Sequence, residues 1–204
     1  LMTAAARDTL ARLIASAARP GGRALRWCEG YLAPDTYHFA PGLDATQVAA
    51  AMIDLQLSRL REAGAGALTP HALLTLASLV EAEARLAAER ATVAAVYHNR
   101  LARGMRLEAD PTVAFWLGKR GERLLYRDLA VPSPYNTYRR RGLPPGPVLA
   151  PGAAAIAAAA APDTACTALY FVADGAGGHV FSETLAELEA AVRRYRALMR
   201  ERRR

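Results

Sequence analysis

Residues 69–111 read TPHALLTLASLVEAEARLAAERATVAAVYHNRLARGMRLEADP, and the rest of the chain is organised around this stretch. Thr69 is a residue type that caps a helix N-terminus, Pro70 suits the first helical position, and Gly104 can close the far end in a left-handed conformation. The pattern is too long for one ordinary helix. It predicts two, over residues 70–83 and 88–103, with a bend near residues 85–87. In the first, Leu73, Leu74, Leu76, Ala77, Leu79 and Val80 surround the axis almost completely, which marks a buried helix. Yet that helix ends in two acids, Glu81 and Glu83. Residues two apart on a helix differ by about 200° in direction, so the acids point apart and at least one should meet an apolar wall. Desolvation there raises a carboxyl pKa and favours a protonated acid near neutral pH. The same pattern also allows both acids to be solvated at a helix end. Periodicity does not decide between these readings, and it does not rank Glu81 against Glu83.

Working outward, residues 45–62 form a second amphipathic pattern with Val48, Met52, Leu55 and Leu60 on its inner side. Residues 4–18 form another, ended by Arg19-Pro20-Gly21-Gly22. Between them, the aromatic, Gly- and Pro-bearing segment 27–39 suggests short extended pieces and a tight turn. Beyond Gly104, Met105-Arg106-Leu107 reads as a short strand. Asp110-Pro111-Thr112 is turn chemistry able to cap a helix over residues 113–117. Residues 129–151 hold six prolines together with Tyr135-Asn136-Thr137-Tyr138. That composition predicts an ordered loop, because prolines restrict the backbone and the aromatic side chains need a surface to pack on. Residues 153–161 are a short alanine-rich helix. Leu169–Ala173 and His179-Val180-Phe181 read as two strands of a hairpin turning through Asp174–Gly178, and Thr184 opens a last helix. Helices and strands mix without a βαβ rhythm, so the fold class expected is α+β.

The chain has 204 residues, enough for one domain or one with a small appendage, and a net charge of +7 from 26 basic and 19 acidic residues. Part of that charge sits at the C-terminal end, which reads as a solvated helix end. No stacking motif interleaves with the arginines, which argues against a nucleic-acid-binding protein. Cys28 and Cys166 are far apart and lack metal-ligand spacing, as do His38, His71, His98 and His179, so two free thiols and no metal or cofactor are expected. Ser78 lacks the context of a serine nucleophile. No stretch is long enough to span a bilayer. What remains is a set of carboxylates beside aromatic and Pro-rich loops. Tyr31, Tyr37, Phe115, Trp116, Tyr135 and Tyr138 are either a sugar-binding cleft or core aromatics.

The order of several segments is specific. Glu29-Gly30-Tyr31-Leu32 with Pro34-Asp35-Thr36-Tyr37 comes first, then Ala77-Ser78-Leu79-Val80-Glu81-Ala82-Glu83. Asn99-Arg100-Leu101, Gly104-Met105-Arg106-Leu107 and Asp110-Pro111-Thr112-Val113 follow. Ser133-Pro134-Tyr135-Asn136-Thr137-Tyr138, Gly142-Leu143-Pro144-Pro145-Gly146-Pro147 and Gly178-His179-Val180-Phe181-Ser182 complete the series. In this the chain resembles the YceG-like (MltG) family of endolytic murein transglycosylases over roughly residues 27–196. Ala109, Ala150 and Leu188 stand where the family usually has other residues.

The resemblance implies an α+β catalytic domain of helices packed with short antiparallel strands and a Pro-rich ordered loop. It divides the chain into an N-terminal helix and connector (1–26), the catalytic domain (27–196) and a basic tail (197–204). It implies cleavage of the β-1,4 bond between MurNAc and GlcNAc inside peptidoglycan strands, leaving 1,6-anhydroMurNAc ends, with no cofactor. By resemblance Glu81 is the catalytic acid. Glu29, Glu83, Asn99, Asp110, Tyr135, Asn136 and Thr137, from the same segments, are the candidate substrate-binding residues. Asn136 offers a sugar both a donor and an acceptor, and residues 133–146 are expected to wall the cleft opposite Glu81. The implied partners are peptidoglycan glycan strands and peptidoglycan synthases (penicillin-binding proteins), with no nucleic acid. The implied location is the bacterial inner membrane, the domain facing the periplasm, through an N-terminal anchor not visible in this chain. The rival reading is a non-catalytic peptidoglycan-binding domain on the same scaffold.

Overall fold

Thr69 caps the central helix as its sequence suggests: its side chain accepts from the Ala72 N–H, and Pro70 opens the first turn of α2, Pro70–Glu83. The computed structural model describes residues 29–202 together with Asp8, so the helix expected over residues 4–18 and the boundary at residue 26 lie outside the described residues. Before α2 comes α1, Ala45–Ala63, closed at its start by a reciprocal capping box between Asp44 and Gln47. After α2 the chain turns through a 3-10 segment, Ala87–Glu89, into α3, Arg90–Ala102. The expected bend and second helix are therefore present, and Gly104 takes the left-handed φ of 62°.

The remaining elements are α4, Asp110–Leu117; a 3-10 turn, Asp128–Ala130; α5, Ala153–Ala160; β1, Tyr170–Ala173; β2, His179–Ser182; and α6, Leu185–Glu201. Among the described residues the sheet is a single antiparallel hairpin, with Tyr170 opposite Ser182 and Ala173 opposite His179. The architecture is α+β. The segment read as a basic tail from residue 197 is the last part of α6 as far as Glu201. Cys166 is a free thiol.

The all-round apolar face of α2 has the consequence expected of it: the eight residues from Leu73 to Val80 are all buried, packed by α1, α3, α4 and α5. Two polar side chains inside this core hold the loops that reach the site. Ser78 Oγ donates to Thr75 O and accepts from Val148 N–H at 3.0 Å, pinning the far end of the Pro-rich loop to the central helix. Gln56, fully buried on α1, donates to both Gly30 O and Pro151 O. Gly30 has φ +86°, and a Cβ there would lie 2.5 Å from Pro147 Cβ. No other residue type fits this close approach, which sets Glu29 beside the segment 147–149.

The strand expected at Met105-Arg106-Leu107 does not form. Among the described residues no strand runs alongside to pair with it. Instead the side chain of Arg100, nearly buried on α3, donates to Arg106 O at 3.1 Å and Leu107 O at 2.9 Å, and through Nε to Leu169 O at 2.5 Å. One guanidinium thus satisfies carbonyls that a sheet would otherwise satisfy and ties α3 to the approach to β1. The helix read as starting at Val113 begins at Asp110, and Ala109 occupies the cap position.

Candidate active site

Glu81 and Glu83 leave the end of α2 in different directions, as helix geometry requires. Glu81 accepts from the Gly152 N–H at 3.3 Å and lies 3.6 Å from Arg90, an ion pair whose side chains are 29% and 21% exposed. Its carboxylate is engaged by the start of α5 and by α3, and it lines neither of the hollows at the end of α2.

Glu83 sits differently. Two hollows share it, together with Asp110. The larger, about 570 Å³, is also lined by Arg85, Arg120, Arg123, Val148 and Leu149. The smaller, about 270 Å³, is bordered by Glu108, Tyr138, Phe171 and His179. Burial raises the Glu83 carboxyl from 4.5 to about 7, and the nearby Asp110 carboxylate pushes the same way, while a 3.4 Å hydrogen bond from the Tyr97 hydroxyl opposes them. The C-terminal end of α2, with its partial negative charge, adds to the preference for the neutral acid. A carboxyl balanced near neutrality, between two hollows, is suited to donating a proton and then recovering one.

Asp110 is exposed, and its position as the first residue of α4 makes it something other than the helix cap expected. Its Oδ1 accepts from the Tyr138 hydroxyl at 2.6 Å. Burial and this bond to Asp110 push the Tyr138 phenol well above its usual value, so it remains a donor. Thr137 is buried and lines neither of these two hollows: its hydroxyl accepts from Ala109 N–H and bonds to Thr112 Oγ1, fixing the backbone just before Asp110. The next residue back, Glu108, has φ +50°, a left-handed conformation for a residue with a Cβ. It is held there by Glu108 N–H donating to Thr137 O and by an ion pair with Arg100 at 3.5 Å.

Several other candidates are scaffold. Asn136 is fully buried and turned into its own loop. Its amide donates to Leu129 O and Val131 O, and its oxygen accepts from Tyr138 N–H, so it has no donor left for a sugar. Asn99 spends its amide on Cys166 O and Ala168 O. Tyr135 is buried against Phe115 and Trp116, with ring centroids 5.0 and 6.0 Å apart, so these three rings belong to the core. Glu29 does not line the larger hollow but pairs at 3.3 Å with Arg120, which does and whose guanidinium also packs over Phe115. The Pro-rich loop does contribute to the site, but through Tyr138 at one hollow and the following Val148 and Leu149 at the other.

Sequence reasoning passed over His179 and the arginines of the larger hollow. His179, on β2, donates from Nδ1 to Glu89 at 2.8 Å, and its backbone N–H donates to the other oxygen of that carboxylate at 2.9 Å. A carboxylate only accepts, so the ring's Nδ1 carries the proton of this contact. The hairpin turn Asp174–Gly178 and the strands were legible, but nothing in sequence spacing connects His179 to Glu89.

Comparison with known proteins identifies the family. The profile of the YceG-like family matches residues 3–194. The chain is 42% identical over 172 residues to an endolytic murein transglycosylase of Bacillus subtilis (strain 168), covering 82% of this chain and 48% of that one. It is 37% identical over 165 residues to an endolytic murein transglycosylase of Streptococcus pneumoniae (strain ATCC BAA-255 / R6), covering 75% of this chain and 29% of that one. A crystal structure of a yceG-like protein from Listeria monocytogenes superposes with a TM-score of 0.74 at 35% identity, over 89% of this chain and 62% of the other. The chain thus spans about half the length of the Bacillus relative and less of the pneumococcal one. In fold and in sequence, the chain belongs to the YceG-like family.

Proposed function

We propose that this domain is an endolytic peptidoglycan lytic transglycosylase with Glu83 as its general acid and base. The observation that carries the reading is the carboxyl of Glu83, raised to about 7 by burial and by Asp110, where the two hollows adjoin. A polymer lying across both hollows presents an internal bond to that acid, which suits cleavage within a strand. Similarity to relatives named endolytic murein transglycosylases supports the same chemistry.

In this mechanism protonated Glu83 gives its proton to the glycosidic oxygen between MurNAc and GlcNAc as the bond to muramyl C1 breaks. The muramyl 6-hydroxyl attacks C1, and the Glu83 carboxylate takes the hydroxyl proton, leaving a 1,6-anhydro ring. The nucleophile is already part of the substrate, so its proximity replaces the water-activating carboxylate that an inverting hydrolase needs. Asp110 acts on the pKa of Glu83 and through Tyr138, and activates no water. Glu81 has a structural part, joining α2 to Gly152 and Arg90.

Such an activity belongs to the cell wall, outside the cytoplasm. Attachment to the inner membrane and association with penicillin-binding synthases rest on the family resemblance. Among the described residues no helix is long and apolar enough to cross a membrane.

The test is mass spectrometry of peptidoglycan digested with the domain and with its Glu83→Gln and Glu81→Gln variants. Anhydromuramyl products that vanish with Glu83→Gln and persist with Glu81→Gln are expected. Reducing ends would make the domain a hydrolase. Unchanged glycan that nevertheless binds the domain would leave the binding-domain reading. Loss of cleavage with Glu81→Gln alone would return the role of acid to Glu81.

A further inference from the structure

The hollows on either side of Glu83 differ in charge. The smaller has Glu108 as its own carboxylate, and the two basic side chains bordering it are already engaged: Arg100 with Leu169 O, Arg106 O and Leu107 O, and His179 with Glu89. The larger has three arginines, Arg85, Arg120 and Arg123, against one carboxylate of its own, Glu122. Arg120 is paired with Glu29. Arg85 and Arg123 are exposed and have neither a hydrogen bond nor an ion pair among the described residues. Arg123 also borders a third hollow of about 400 Å³, where α6 contributes Arg196 and Arg200 and no acid. A basic track therefore leads from the acid towards the last helix.

Unpaired guanidinium groups around a cavity are receptors for carboxylates, which they bind through paired N–H donors. In a glycan strand the carboxylates are unevenly distributed. The muramyl residue carries a lactyl-linked stem peptide with free carboxylates, whereas the neighbouring glucosamine residue carries none. Resting on the transglycosylase reading above, we infer that the larger hollow receives the muramyl residue and that Arg85 and Arg123 bind the carboxylates of its stem peptide. The smaller hollow then takes the uncharged glucosamine on the leaving side. The arginine track fixes the polarity with which the strand lies across Glu83 and makes peptide-bearing strands the preferred substrate over stripped ones.

Binding measured without cleavage tests this. The Glu83→Gln protein is titrated calorimetrically, at low and at high salt, with three soluble probes: a disaccharide carrying a tetrapeptide with free carboxylates, the same compound with its carboxylates amidated, and the bare disaccharide. About tenfold tighter binding of the carboxylated probe is expected at low salt, shrinking as salt rises. Adding Arg85→Ala and Arg123→Ala should abolish that preference while leaving the affinity for the amidated probe in place. The Lys versions, which keep the charge at both positions, should retain part of it. Equal affinity for all three probes overturns the proposal, as does an equal loss for all three when the arginines are removed. Since the readout is binding, a domain that binds with this preference and cuts nothing counts against the transglycosylase reading alone.

Discussion

Replacing Glu83 by glutamine should make the protein more stable, by an amount that depends on pH. The glutamate titrates near 4.5 in the unfolded chain and at about 7 in the folded one. Between those values the folded chain holds a proton that the unfolded chain has released. Stability therefore falls as pH rises from 4.5 to about 7 and is level above that range. At about 1.4 kcal/mol per pKa unit, the interval is worth about 3 kcal/mol at full ionisation. Glutamine has nearly the same shape, keeps an oxygen to accept from Tyr97, and never ionises. The variant should match the parent at about pH 4 and exceed it by about 3 kcal/mol at about pH 8. Urea denaturation at a series of pH values measures both curves directly, and with an unchanged m-value the difference is one of stability alone. Parallel curves across that range would refute the reasoning, because they would mean that Glu83 titrates alike in the folded and unfolded chains. A glutamine variant less stable than the parent at alkaline pH would show that the ionised carboxylate is compensated in the fold.

Asp110→Asn removes the second cause of the raised Glu83 carboxyl, so the alkaline limb of the pH–rate profile, set by loss of the Glu83 proton at about 7, should move to lower pH. Azide or formate should not rescue this variant, and a glycosyl azide product would reveal a nucleophilic or water-activating carboxylate instead. Asn136→Ala should cost about 2–4 kcal/mol, because it strands the Leu129 and Val131 carbonyls inside the loop; thermal unfolding reads the loss, and an increase in KM without it would make Asn136 a sugar ligand after all.

The helices were legible because their signals are local. Thr69 and Pro70 start α2, apolar residues all round it declare its burial, and Gly104 closes the turn after α3. The hairpin was legible from strand residues on both sides of a Gly-rich turn. Misreadings arose where a side chain replaced a backbone partner. Met105-Arg106-Leu107 has the composition of a strand, but its carbonyls go to Arg100, and no local pattern announces that. Asn136 looked like a sugar ligand because a Pro-rich loop has no periodicity to reveal which side chains turn inward. The choice between Glu81 and Glu83 depends on groups that arrive from elsewhere in the chain: Gly152 and Arg90 around one, Tyr97 and Asp110 around the other. Residue types two positions apart on one helix carry no record of those neighbours.

The two-stranded hairpin leads to a point about local stability. A hairpin of this size is marginal by itself in water. Its place against the body of the protein depends on Arg100 bonding to Leu169 O, Glu89 holding His179, and α6 packed on both strands. Glu83, by contrast, stands at the end of α2, whose residues from Leu73 to Val80 are all buried. The site therefore combines two grades of rigidity. Local opening of small peripheral elements generally takes less free energy than opening of a core helix. On the proposed function, such a division would let one bank of the groove breathe while Glu83 stays in register, so that a strand with no free end nearby could enter sideways instead of being threaded.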